Sequence, residues 1–300
     1  MTLRLRALYR KFDTTFVRHF SGADAVNDLP IVELAADEVS LPVTGGGELA
    51  APNPDSAIPL WQRWNDYGIG LLRQSGPMAR GSLAAAARAF AEVEKLGKPD
   101  GALNQARVFL AEGQNVELAR RALDRAATFS PPSPPWLLAW FEAQVARREG
   151  RLDVAIAALG KLLETPWPQA RERGFDFSGD DRVWSLLGQL ELERVQELAE
   201  DDPEVRAGFE RARHAFASVL ERDPENAMAH YSLARIARAG GDEIEAARLI
   251  ASFERYRGDD PDRDRARDAA RRADPVADFQ AEPLVVFELQ PPGAALEPSP

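Results

Sequence analysis

HYSLARIARAGGDEIEAARLIASF, residues 230–253, sets two apolar stripes end to end. His230, Leu233, Ala234 and Ala237 recur three and four residues apart, and so do Ala246, Ile250 and Phe253. That is the spacing of one helical face on each side of a break, so the stretch predicts a pair of helices. The small residues let the helix axes approach, and the large ones fill the space between them. A pair this short cannot bury both stripes by itself, which directs attention to further copies of the unit.

Working outward, four more units carry the same pattern. It matches the tetratricopeptide repeat, a period of about 34 residues written W-x2-L-G-x2-Y, then A-x3-F, then P. The second unit fits as regularly as the fifth: Leu103, Ala106 and Leu110, then Ala119, Leu123, Ala126 and Pro131, with Arg107 standing where a small residue is usual. The first has Trp64, Tyr67, Gly68 and Leu71, then Ala86 and Phe90, with SGPMAR (75–80) inserted between its helices. The third has Ala143 and Ala146, Gly150 in the turn, then Ala155 and Leu159. The fourth has Trp184, Leu187 and Gly188, then Ala212, Phe216, Val219 and Pro224, with VQELAEDDPEVR (195–206) lengthening its helices. Proline closes a second helix because it cannot continue the hydrogen-bond ladder. The expected fold class is all-α: a right-handed superhelix of about five helix pairs with a concave groove.

The rest of the chain is placed around residues 60–257. Residues 1–44 are expected to form a helix and a β-hairpin. Leu5, Leu8, Phe12, Phe16 and Phe20 lie on one helical face, which is either packing surface or a docking helix for a partner. LPIVELAADEVSLPV (29–43) suggests two short strands around an Ala-Asp-Glu turn. Residues 45–59, rich in Gly and Pro, read as a linker. DPDRDRARDAARRA (260–273) suits a polar capping helix over 258–275, and residues 276–300 hold a strand candidate, PLVVFEL (283–289), followed by a disordered tail.

Composition narrows the functions. With a net charge of −11 and no long basic run, nucleic acid is not an expected partner. No apolar run reaches the about 18 residues of a membrane span, so no membrane insertion is expected. The chain has no cysteine, which excludes disulfides, zinc–thiolate sites and covalently attached haem. Of the three histidines, His19, His214 and His230, no two stand at a metal-ligand spacing, and no cofactor is expected. The acidic run ELAEDDPE (197–204) lacks the alternate ligands and the central glycine of a calcium loop. Gly68-Ile69-Gly70 could open a phosphate turn. The third glycine of the dinucleotide fingerprint is Arg73 here, and no strand precedes it, so a packing role is assigned to Gly68.

The groove is the candidate site. By resemblance to other tetratricopeptide arrays, positions 2, 5, 9 and 12 of each first helix face it. These are Asn65, Asn104, Trp140, Gln144, Arg147, Gln189, Tyr231, Arg235 and Arg238. Arg, Trp and Tyr are enriched at binding hot spots, and an Asn amide can hold an extended peptide backbone.

A narrower resemblance extends from about Leu8 to Leu289. LYRKFDTTFVRHF, NDLPIVELAADEVSLPV, WQRWNDYGIGLL, LNQARVFLAEG, RERGFDFSGDDRV and ENAMAHYSLARI resemble the C-terminal half of bacterial multihaem cytochrome c proteins. The resemblance implies a periplasmic location and a role in extracytoplasmic electron transfer. The haem-attaching CxxCH half is missing, so the implied partner is a multihaem cytochrome c on a separate chain, or the chain is a fragment of a longer one. No haem ligand carries over, although His19 could reach a partner's iron. The expectation is a non-enzymatic protein- or peptide-binding scaffold, with a cytoplasmic adaptor or assembly chaperone as the alternative if Met1 is the true start. An enzyme would need a cleft of convergent polar groups, and no cluster in the sequence suggests one.

Overall fold

The computed structural model describes residues 1–41, 56–73, 82–113, 115–199 and 201–258, with 265, 268, 269, 272 and 273 beyond them. Two compact units divide the chain, Met1–Pro59 and Leu60–Pro300. The insertion at 75–80, the strand candidate 283–289, the tail, and most of the linker and of the capping helix lie outside the described residues.

The first unit is built from strand β1 (Thr2–Tyr9), helix α1 (Thr14–Ser21) and strand β2 (Val32–Ser40). The helix expected along Leu5, Leu8, Phe12, Phe16 and Phe20 is thus a strand followed by a shorter helix. Leu3-Arg4-Leu5-Arg6 alternates with period two, which suits a strand, and β2 provides the partner. The strands run antiparallel from Thr2 opposite Ser40 to Tyr9 opposite Val32, with the register shifting between Ala7 and Leu8. Arg4 reaches Glu38 at 2.6 Å and Arg6 reaches Glu33 at 3.4 Å, opposite charges on facing strands. The expected hairpin within 29–43 is instead one continuous strand, because its residues pair with β1 rather than with each other. Of the expected apolar stripe, the phenylalanines remain together: Phe12 stacks on Phe16 at 4.5 Å, and Phe16 meets Phe20 at 4.7 Å. Asp13 starts α1 by accepting from the Phe16 backbone N–H at 2.6 Å.

The second unit is an array of helix pairs, each pair packed on the next in chain order. The pairs are α2 (Leu60–Arg73) with α3 (Ser82–Lys95), and α4 (Pro99–Glu112) with α5 (Val116–Thr128). Then come α6 (Pro135–Arg148) with α7 (Leu152–Glu164), α9 (Asp181–Glu197) with α10 (Glu204–Arg222), and α11 (Ala227–Ala239) with α12 (Glu243–Tyr256). A short helix α8 (Pro168–Glu172) and a 3-10 turn (Phe177–Gly179) intervene between the third and fourth pairs. This is the tetratricopeptide-repeat fold with a small two-stranded sheet.

The motif residues form its core. Trp64, Leu71, Ala86 and Phe90 are buried in the first pair, and Ala119, Leu123 and Ala126 in the second. Ala155 and Leu159 in the third pair, Ala212, Phe216 and Val219 in the fourth, and Ala234, Ala237 and Ala246 in the fifth complete the series. A Cβ at Gly68 would meet the Phe90 ring at 2.6 Å, and one at Gly188 would meet the Phe216 ring at 2.8 Å. Gly68 therefore lets α2 close on α3. The fourth pair is longer than the others, with 17 and 19 residues in its helices. Buried Glu191 joins the two, 2.9 Å from Arg194 on its own helix and 3.0 Å from Arg211 on α10.

Candidate protein-binding groove

The first helices of the pairs line a groove of about 1230 Å³. One face of each points into it: Ile69 and Leu72 from α2, Asn104 and Arg107 from α4, Trp140 and Gln144 from α6, Ser185 and Gln189 from α9, and Met228 from α11. The three-to-four spacing along each helix is the amphipathic period, here with polar and large apolar side chains sharing the inward stripe.

Five of the nine sequence-predicted residues line this groove together: Asn104, Trp140, Gln144, Arg147 and Gln189. Asn65 joins them through one hydrogen bond, accepting from the Asn104 amide at 2.9 Å. Asn104 in turn accepts from Arg107 at 2.9 Å, so a polar chain runs from α4 to α2. The fifth-pair residues are elsewhere. Tyr231 packs on Phe253 with ring centres 5.2 Å apart, Arg238 lies 3.8 Å from Glu243, and Arg235 borders a separate hollow beside Leu192 and Phe209.

Charge separates the groove from the rest of an acidic molecule. Arg107, Arg147, Arg148 and Arg182 line it, against Asp100 and Asp181. Arg147 is held by Glu193, with contacts of 2.5 and 3.1 Å, and Arg182 by Asp180 at 2.6 Å. Among the described residues, neither Arg107 nor Arg148 has a carboxylate within 4.0 Å. Burial pushes the Arg107 guanidinium below its ordinary pKa. Position counting in the sequence missed Arg107, Arg148 and Arg182. For Arg107 a signal was present, since it breaks the repeat pattern at a position reserved for small residues.

A second hollow of about 310 Å³ adjoins the groove between α6 and the segment leading from α8 to α9. Trp136, Trp140, Phe175, Phe177 and Val183 wall it, and Leu137, Trp140 and Arg182 line both spaces.

The histidines make packing contacts. His230 is buried with Nε2 2.9 Å from the Pro224 carbonyl oxygen, and His214 packs beside Trp184 at 5.8 Å. Among the described residues no group of three His, Asp or Glu side chains could hold a metal, and no helix is long and apolar enough to cross a membrane.

The model of the tetratricopeptide repeat matches residues 206–263, spanning most of α10 and all of α11 and α12. Among solved structures, a crystal structure of the MamA protein is 14% identical over 65% of this chain and 91% of its own, with a TM-score of 0.47. MamA 41-end from Desulfovibrio magneticus RS-1 is 16% identical over 65% of this chain and 94% of its own, also at 0.47. No curated protein matches the sequence. The repeat and the groove define the class: a helical scaffold for protein–protein interaction.

Proposed function

We propose that this protein is a non-catalytic scaffold whose groove holds an extended segment of a partner protein. The observation that carries this is the inward stripe itself. Large apolar residues (Leu72, Leu137, Trp140) alternate there with side chains able to hydrogen-bond a peptide backbone (Asn104, Gln144, Gln189). Arg107 and Arg148 add charge to the same surface.

A selection of phage-displayed random peptides on the intact protein tests this. Enriched peptides should bind the wild type and fail to bind Ser185→Trp, whose indole would project into the middle of the groove. A selection that enriches nothing, or peptides that bind both forms equally, would end the proposal.

For the partner, we propose a multihaem c-type cytochrome in a bacterial periplasm, on the strength of the sequence resemblance alone. The groove and the apolar side of α1 are the two surfaces available to it. Phe16 and Phe20 are 43% and 70% exposed, apolar surface that a partner would cover. Affinity purification from the native cell should recover a protein with the Soret absorbance of haem. Recovery of only haem-free partners from the cytoplasmic fraction would favour an adaptor or chaperone.

A further inference from the structure

We propose that the hollow beside α6 is an anchor pocket for one large aromatic side chain, carried by an acidic partner segment that lies in the groove. This rests on the groove being a protein-binding surface, and adds the chemistry of the occupant.

Size comes first. At about 310 Å³ the hollow is at the lower end of the range of about 300–1,000 Å³ that holds small molecules, enough for one ring system. Its walls are aromatic. Trp136, Trp140, Phe175 and Phe177 offer faces and edges, the geometry in which aromatic rings attract one another. Phe175 is 58% exposed, a large apolar side chain held at the rim, and an entering ring would cover it.

The walls are also held in place before anything binds. Trp136 meets Trp167 edge-on at 6.1 Å, and Trp167 donates its indole N–H to the Leu162 carbonyl at 2.9 Å. On the other side, Trp184 Nε1 and Arg222 Nε both donate to the Ser178 carbonyl at 2.9 Å, fixing the 3-10 turn that carries Phe177. Asp176 caps that turn by accepting from the Ser178 backbone and hydroxyl. Such preorganisation reduces the entropy cost of ordering the site on binding. The segment from α8 to the 3-10 turn lies outside the five helix pairs, so the repeat architecture does not require it.

Charge complementarity selects the partner. Of the charged residues lining the hollow, Asp176 is paired with Arg171 and Asp180 with Arg182, while Arg173 has no carboxylate within 4.0 Å among the described residues. Arg107 and Arg148 in the adjoining groove are alike in this respect. Along this one continuous surface of a chain with net charge −11, these three guanidiniums outnumber the two lining carboxylates that have no cation within 4.0 Å among the described residues, Asp100 and Asp181, and this excess favours an acidic ligand over a basic one.

The test uses the full chain and the phage-displayed random peptides described above. Enriched sequences should share a Trp, Phe or Tyr flanked by Asp or Glu. A fluorescein-labelled copy of the most enriched peptide should bind about tenfold more weakly to Phe175→Ala, and about tenfold more weakly when its own aromatic residue is replaced by Ala. The two losses should not add when combined, whereas Phe175→Tyr should retain binding. Because Phe175 is exposed, its variants should melt at the wild-type temperature. Peptides blocked by Ser185→Trp but indifferent to Phe175→Ala would overturn the pocket and leave the scaffold standing, as would enrichment of basic or non-aromatic peptides. No enrichment at all would remove both.

Discussion

Gly188 lies flat against the ring of Phe216, so close that a Cβ on the glycine would come within 2.8 Å of the ring. The same relationship joins Gly68 to Phe90 in the first pair, at 2.6 Å. Both rings are essentially inaccessible to solvent, so neither can swing away. Gly68→Ala and Gly188→Ala should each destabilise the protein by about 1–2 kcal/mol in urea denaturation, because overpacking outweighs the gain in helix propensity. Gly70→Ala is the control. Nothing lies within 4 Å of its Cβ, so the substitution should stabilise by up to about 1 kcal/mol.

Glu191 is a buried carboxylate shared by two guanidiniums, and it ties α9 to α10. Arg194 and Arg211 keep partial access to water, with side chains 23% and 39% exposed, which moderates what its removal costs. Glu191→Ala should lower stability by about 1–3 kcal/mol. Equilibrium unfolding in urea would show it, and Glu191→Gln should recover part of the loss. A midpoint unchanged by either substitution would mean the pair contributes nothing net.

Acid should loosen the second and third pairs through Glu149. Hydrogen bonds from Arg120, against some burial, and then from Arg151, hold its carboxyl below the ordinary 4.5. A depressed carboxylate adds stability above its unfolded pKa and loses it as the pH falls through the folded value. Arg120 also reaches Glu142, so α5 and α6 are joined at this point. The wild type should therefore lose stability on going from about pH 5 to pH 3, and Glu149→Gln should flatten that slope while being less stable at pH 7. Thermal melts across this range would decide it; parallel curves for the two proteins would refute the assignment.

The helix pairs were legible because their signal is local and repeated. His230, Ala234, Ala237 and Ala246 each satisfy a spacing that can be checked within one unit. The strand β1 was not, since Leu5, Leu8 and Phe12 satisfy a helical spacing as well as Leu3-Arg4-Leu5-Arg6 satisfies a strand. What decides between them is a partner more than twenty residues away, at Val32–Ser40, and no local window contains it. The groove was half legible. Counting helix positions found Asn104, Trp140, Gln144, Arg147 and Gln189, but Tyr231, Arg235 and Arg238 lie beyond its end. The aromatic hollow was invisible as a site because Phe175 and Phe177 fall between repeats. Their approach to Trp136 depends on how α8 and the 3-10 turn fold back.

Arg107 should be a residue that costs the fold something and serves binding. It replaces a small residue of the repeat, burial lowers its pKa, and its described partner is an uncharged amide, Asn104. A desolvated cation without a carboxylate gains little from its surroundings until an anionic group arrives. Arg107→Leu should then leave stability unchanged or raise it by up to about 1 kcal/mol in urea denaturation. The same substitution should weaken binding of a groove-selected acidic peptide by about tenfold, and make what remains less sensitive to salt. Fluorescence polarisation at low and high ionic strength measures both effects. A variant that is destabilised yet binds with wild-type affinity would show instead that Arg107 supports the Asn104–Asn65 link between α4 and α2.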